Sequence, residues 1–326
     1  KDINSRFGSI QKLHARDTNL ITLCEDKCLR LLADKDAIYN ADGSANVVTQ
    51  NRFLGQAIPY IGEYGISMQP ESFANYGYQA YFTDKARGAV IRLSQDGITP
   101  ISDHGMKDYF ADKLNTNNLD YMIGSYDNEK RLYNLTILDS RYKEDFNADT
   151  GNRTLSFMEA VRGWTSRKSF IPEAGVSLNN KYYTFKDGDM WLHGSPTKAT
   201  FYTNFEEPSL KIIFNDSPDV VKTFKTLNYE GTQSFITKNT TDDRYDNNYT
   251  KYGWYNSYTK TNLQDGKVLE FIDKEDKWFS YIQGDATTIK NVDSQEFSVQ
   301  GIGSGTVTND TGGYTEITLT IQENND

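Results

Sequence analysis

The residues of this 326-residue chain that could do chemistry are sparse or scattered. Three histidines, His14, His104 and His193, stand far apart in the sequence. A nucleophile, base and acid can still meet in space from distant positions, because chain order does not constrain geometry. Yet there is no G-x-S-x-G elbow, no H-E-x-x-H pair and no phosphate-cradling G-x-x-x-x-G-K-[ST] loop. His104, beside Gly105, reads as a turn or cap residue, and His193 as a side chain at a strand end. A glycosidase needs only two acids at a suitable separation, and Glu63, Asp84, Asp103 and Glu173 are candidates. With 45 acidic residues in the chain, close carboxylates arise by chance, so a solvated face is the default reading.

Two metal patterns are incomplete. Asp242, Asp243 and Asp246 resemble a fragment of a calcium loop but lack the central glycine and the closing glutamate. Cys24 and Cys28, in LCEDKCLRLL, would share one face of a helix, where two further ligands could complete a metal site; only His14 lies nearby. A strand-turn-strand with Glu25, Asp26 and Lys27 in the turn fits equally well and makes both cysteines small buried residues. We assign no catalytic residue, cofactor or metal, and read the chain as a non-enzyme.

The strongest remaining chemistry is aromatic. The chain carries 22 Tyr, 17 Phe and 4 Trp. A polar stretch after Gly231 gathers Tyr245, Tyr249, Tyr252, Trp254, Tyr255 and Tyr258. Such side chains stack on sugars or anchor protein contacts, where Tyr and Trp dominate the binding energy; the interface is the favoured reading.

The elements that must position these residues are strands. Tyr78 to Thr83 and Ala89 to Leu93 alternate or run apolar, and Asp96-Gly97 marks a reversal before Ile98 to Ile101. Leu20 to Asp42 reads as two short strands and an Asp42-Gly43 turn, and residues 44–75 as an irregular connection packed by Phe53, Ile58 and Tyr60. Ser102 to Leu114 is the best helix, with Asp103 as its cap. Strands follow at Leu119 to Ser125, Arg131 to Leu138 and Thr154 to Val161. In 163–193 the Asn179-Asn180 and Asp187-Gly188 turns flank Tyr182 to Lys186. Ala199 to Asn204, Lys211 to Asn215 and Val220 to Tyr229 continue the pattern, and further strands are expected within 267–284, at Phe297 to Ile302 and at Tyr314 to Ile321.

The fold class is therefore mainly β: a propeller-like or large multi-sheet body with few short helices, plus a C-terminal β region. Three regions are expected: a body over 1–230, a polar aromatic loop or excursion over 231–266, and a C-terminal β region over 267–326. The net charge of −10 opposes non-specific binding to nucleic acid or an anionic membrane, but suits a channel wall that must not hold DNA. No apolar run reaches the ~20 residues of a membrane span, and no charged-then-apolar leader opens the chain, so it reads as soluble and not exported. Lys1 in place of Met suggests a processed product or a piece of a longer polypeptide.

Four segments carry a family resemblance: YFTDKARGAVIRLSQDGITPIS at 81–102, GWTSRKSFIPEAGVSLNNKYYTFKDGDMWLH at 163–193, FNDSPDVVKTFKTLNYEG at 214–231 and KEDKWFSYIQG at 274–284. Together they resemble large tail structural proteins of podovirus-type bacteriophages, most closely the tail muzzle proteins of crAss-like phages, over roughly residues 20–285. The resemblance implies a virion component of the distal tail, made in the host cytoplasm. It implies assembly in several copies around the DNA exit channel, a hexameric ring being one expectation, with other tail proteins and the N-terminal part of the same polypeptide as partners. A carbohydrate-binding or glycan-hydrolysing tail protein is the alternative.

Overall fold

The computed structural model describes residues 2–17, 19–32, 38–39, 45–46, 55–116, 119–140, 152–214, 216–217, 220, 223–237, 250–260, 265–284, 287–290, 301–302, 309–311 and 314–319. The Asp42-Gly43 turn and Phe53 lie outside them. The chain divides into two compact units, Lys1–Ser209 and Leu210–Asp326.

The first unit is a succession of antiparallel meanders. Strands β1 (Ile10–Arg16), β2 (Asn19–Cys24) and β3 (Cys28–Leu32) lead to the short pair β4 (Ile38–Tyr39) and β5 (Ala45–Asn46), then to β6 (Ala57–Pro59), which returns to pair with β3. The second sheet orders as β10 (Gly97–Pro100), β9 (Ala89–Ser94), β8 (Gln79–Asp84) and β7 (Ala74–Tyr76). After helix α1 (Lys107–Leu114), a third sheet runs β11 (Leu119–Asp127), β12 (Leu132–Asp139), β13 (Arg153–Met158) and β14 (Gly163–Lys168). A fourth has three strands, β15 (Ala174–Leu178), β16 (Lys181–Lys186) and β17 (Asp189–Leu192), and the small hairpin β18 (Thr200–Phe201) and β19 (Asn204–Phe205) follows.

Successive side chains of a strand point to opposite faces, so a sheet between two cores must read apolar almost continuously. The second sheet does. Ala80, Phe82, Ile91 and Leu93 join Ile21, Leu23, Cys28 and Ile66 in one core. Tyr81 and Val90 join Phe110, Leu114, Met122, Tyr133, Leu135, Leu155 and Phe157 in the other. Each large side chain fully withdrawn from water contributes about 1.5–3 kcal/mol of transfer free energy. Stacked tyrosine rings bridge the second and third sheets: Tyr81 lies 4.8 Å from Tyr133, and Tyr76 4.5 Å from Tyr126. Trp164 donates its indole N–H to the Ile101 carbonyl at 3.1 Å and packs on Phe110, closing α1 over this core.

The turn chemistry matches the sequence. Asn179 and Asn180 have φ of 49° and 58°, and Asp187 and Gly188 have 55° and 84°, the left-handed pairs that let two-residue hairpins follow the strand twist. The mainly β, multi-sheet architecture with few short helices is thus borne out. Three local expectations are corrected. Asp103 does not cap the helix: it belongs to a 3-10 turn, Ile101–Asp103, and α1 starts after Met106 with no side-chain cap bond. Residues 57–59 of the supposed irregular connection form a strand, because β3 presents an unpaired edge that Ala57 to Pro59 complete. Lys211 to Phe214 form no strand, since none of the described strands pairs with them.

In the second unit the long strand β25 (Lys277–Gly284) is the axis. One edge pairs with β21 (Thr226–Tyr229). The other edge is shared between β24 (Ile272–Lys274) and β23 (Asp265–Val268), which itself pairs with β22 (Thr259–Lys260). Glu275 and Asp276, at φ 55° and 63°, make the tight turn from β24 to β25. Val268, Phe271 and Ile282 form its core, with Leu227, Tyr229 and Trp278 packed against them. β20 (Thr223–Phe224) pairs in parallel with β27 (Gly301–Ile302), and β26 (Thr287–Lys290), β28 (Asn309–Thr311) and β29 (Tyr314–Leu319) form a further small sheet.

One contact fixes the spacing of the third sheet. A Cβ on Gly124 would stand 1.9 Å from the Ser72 carbonyl oxygen and 3.2 Å from the Tyr133 ring, and that ring's hydroxyl donates to the same carbonyl at 2.9 Å. We expect Gly124→Ala to lower the stability of this unit by about 2–3 kcal/mol through overpacking, read as a shifted denaturant midpoint at unchanged slope. Wild-type stability would show that the backbone yields freely there.

Candidate functional site

Two places gather functional chemistry: a polar layer inside the first unit and an aromatic surface on the second. The polar layer follows from alternation in β12, whose Tyr133, Leu135 and Ile137 face the apolar core. Asn134 and Thr136, between them, are also buried. Asn134 Oδ1 accepts from Ser156 Oγ at 2.6 Å and from Lys168 Nζ at 3.1 Å, while Thr136 and Thr154 hydroxyls meet at 2.6 Å. The fourth sheet meets this region with Tyr182, whose hydroxyl lies 2.7 Å from Ser125 Oγ, and with Ser177, which donates to the Tyr126 carbonyl at 2.7 Å. Thr184 Oγ1 is 2.7 Å from His193 Nε2 and 2.9 Å from Tyr202 Oη.

Burial sets the electrostatics here. Desolvation pushes Lys168 down to about 8 against the pull of Asp127, and pushes His193 down to about 4, with Lys168 and Lys130 adding to the shift. A neutral imidazole wedged among Phe170, Tyr182 and Phe201, 4.7–5.8 Å between ring centroids, is a packing element. The other histidines sit elsewhere: His14 packs beside Phe73, and His104 ends the 3-10 turn against Phe157. The four carboxylate candidates are also dispersed. Glu63 pairs with Lys27 at 2.8 Å. Asp84 is fully buried, accepts from Gly65 N and Ser67 Oγ at 3.1 Å each, and pairs with Arg87 at 3.0 Å. Glu173 accepts from Asp187 N at 3.3 Å, and Asp103 stays in its turn. No hydrogen bond or ion pair among the described residues joins two of these acids. Cys24 and Cys28 end β2 and begin β3, with Glu25, Asp26 and Lys27 between; both are buried free thiols, and Cys28 lies 3.2 Å from the Tyr64 carbonyl. This is the strand-turn-strand arrangement.

The aromatic surface is a strap. Gln233 to Ile236 lie against Lys251 to Trp254 through two isolated bridges, Ser234 with Trp254 and Ile236 with Lys251. Phe235 N donates to the Trp254 carbonyl at 2.8 Å, Trp254 N to the Gln233 carbonyl at 3.0 Å, and Ser234 Oγ to the Trp254 carbonyl at 3.0 Å. The Trp254 indole N–H, donating to Thr232 Oγ1 at 3.1 Å, fixes the ring orientation. Phe235 approaches Tyr252 and Tyr255 at 6.4 and 6.3 Å. The result is a held backbone with rings turned to solvent: Tyr252 is 85%, Trp254 41%, Tyr255 52% and Tyr258 50% exposed. Lys260 lies 5.9 Å from the Tyr258 ring centroid. Tyr245 and Tyr249, and the calcium-loop fragment Asp242, Asp243 and Asp246, lie outside the described residues. Gln233 to Ile236 enter the site although no sequence motif marks them; Gly253 was the available signal.

The strap closes only because residue 253 has no side chain, since a Cβ there would stand 1.9 Å from the Gln233 carbonyl oxygen. Gly253→Ala is expected to open it by about 2 kcal/mol. That should raise chymotryptic cleavage after Tyr252 and Tyr255 roughly 30-fold by favouring the open form; an unchanged rate would place the strap's stability elsewhere.

The pH behaviour of the polar layer has a definite sign. His193 has a folded value near 4, below the ordinary 6.5, so the unfolded chain binds the extra proton between those values. Stability from the neutral ring is fully present above pH 6.5 and is lost as pH falls toward 4, by up to about 3 kcal/mol. His193→Gln, which retains a polar partner for Thr184, should flatten the pH 4–6.5 slope of urea-unfolding free energy; the same slope in both proteins would remove His193 from the account.

Comparison with known families bears on the part of the chain that carries the strap. Residues 196–285 match the Crassvirus muzzle protein C-terminal domain. The match contains two of the four resembling segments, 214–231 and 274–284; the other two, 81–102 and 163–193, precede it. No curated protein matches the chain. Over residues 196–285 the chain is similar to the C-terminal domain of Crassvirus muzzle proteins, which bears out the resemblance read from the sequence over that part.

Proposed function

We propose that this protein is a structural component of the distal tail of a crAss-like phage, assembling in several copies around the DNA exit channel and helping to close or gate it during genome ejection. The observation that carries this reading is the muzzle C-terminal domain match over the residues that hold the aromatic strap. Physical features agree with it. The strap offers preordered tyrosine and tryptophan rings, which lose little entropy when another protein covers them. The net charge of −10 gives a wall that repels passing DNA. Four consecutive antiparallel sheets, the first three interleaved in two shared apolar cores and the fourth held to the third by hydrogen bonds, supply a stiff body, and their meander order is compatible with a blade-like repeat.

The partners on this reading are further copies of the chain in a ring, for which six is the proposed number, other tail proteins, and the N-terminal part of the same polypeptide. The protein resides in the virion tail after synthesis in the host cytoplasm, and acts without catalysis. No helix among the described residues is long and apolar enough to cross a membrane. The glycan-binding alternative shares the exposed rings of Tyr252, Trp254 and Tyr255 and differs in what they touch.

Light scattering and negative-stain microscopy of the full chain, beside a glycan-array screen, separate the two. Multimers that weaken at least tenfold in dissociation constant with Trp254→Ala, and no glycan signal, are the expected result. A monomer that binds glycans and loses them with Trp254→Ala would overturn the assembly reading in favour of host attachment.

A further inference from the structure

The fourth sheet of the first unit is covered on one face and bare on the other. Its covered face carries Gly175, Ser177, Tyr182 and Thr184; Tyr182 and Ser177 bond to Ser125 and Tyr126 of the third sheet and to Asn128 in the turn after β11. The opposite face carries Val176, Leu178, Phe185, Met190 and Leu192, and all five are exposed large apolar side chains. The register makes them one patch: Val176 opposes Tyr183, which opposes Leu192, and Phe185 opposes Met190. β17 is the last strand of this sheet, so the patch runs out at an edge. An exposed apolar sheet face ending at a strand edge is the usual template for adding one more strand.

The chain also contains a segment shaped for that role. Leu210, Ile212, Ile213 and Phe214 are each more than half exposed, in a stretch without regular secondary structure. In extended form Leu210, Ile212 and Phe214 fall on one side, the i, i+2, i+4 spacing by which an added strand fills pockets on a sheet. Charge agrees with the match. Glu206 and Glu207 lead into this segment, and Lys181 stands on the outer face opposite Leu178.

We propose that Leu210–Phe214 of one copy adds as a fourth strand along the β17 edge of a second copy, laying Leu210, Ile212 and Phe214 across its outer apolar face. The donor and acceptor surfaces differ, so the contact is heterologous, and each copy can give its arm to one neighbour while receiving another's. Repetition of that step closes a ring or extends a chain of copies. The inference rests on the assembly reading above and specifies its contact.

The test uses full-length chains, each with one introduced cysteine, Leu192→Cys in one and Ile212→Cys in the other, mixed under mild oxidation and compared with the wild type, whose Cys24 and Cys28 are buried. A disulfide-linked dimer at least tenfold more abundant in the mixture than in either variant alone is the expected result. Light scattering should show that Ile212→Asp weakens self-association at least tenfold while circular dichroism is unchanged, and that Lys181→Glu weakens it less, with recovery on adding Glu206→Lys and Glu207→Lys. Multimers without the mixed disulfide, insensitive to Ile212→Asp, would overturn the arm contact and leave assembly standing. A chain that stays monomeric at every concentration would overturn both.

Discussion

The first unit depends on one constraint: its second sheet is buried on both faces. Ala80, Phe82, Ile91 and Leu93 commit one face to the first sheet, and Tyr81 and Val90 commit the other to the third. A register slip of a single residue in β8 or β9 would exchange these sets and empty both cores at once. The hairpin registers are therefore fixed from two sides, and the close approach at Gly124 and the stacked tyrosines can be held to short distances.

The third sheet passes this order on in a different material. Its inner face is apolar and its outer face polar, so the fourth sheet is held by directional bonds through Ser125, Tyr126, Ser177 and Tyr182. Hydrogen bonds between buried groups add little net free energy but penalise any arrangement that leaves them unmade. The interface thus specifies orientation more than it stabilises. The depressed basicity of Lys168 and His193 follows from the same burial and needs no catalytic role.

Beyond this polar layer, apolar residues reappear where water is. The outer face of the fourth sheet, the segment Leu210–Phe214 and the aromatic strap are each more apolar than their exposure favours. Apolar surfaces of this size are the kind that another protein covers. The segment Leu210–Phe214 and the strap lie within the residues 196–285 that match the muzzle domain, and the fourth sheet precedes them.

Much of this was legible in the sequence. Period-two alternation and the Asn-Asn and Asp-Gly pairs located β15, β16 and β17, because left-handed turn geometry is a local property of those residues. Cys24 and Cys28 left helix and hairpin open, since a four-residue spacing serves both; pairing with β1 and β6 on the two sides chose the hairpin. Asp103 looked like a helix cap, but the chain needed a 3-10 turn to bring Ile101 into the core, which moved the helix start past it. The ring-bearing residues of the strap were visible as composition, and their clasp to Gln233–Ile236 was not, because a two-bridge contact leaves no periodic pattern. The sequence by itself determined strand identity, turn type and the aromatic and acidic character, all of which depend on neighbours a few residues away. Only the tertiary structure decided which alternating face met a core and which met solvent, since that depends on what distant strands place opposite it.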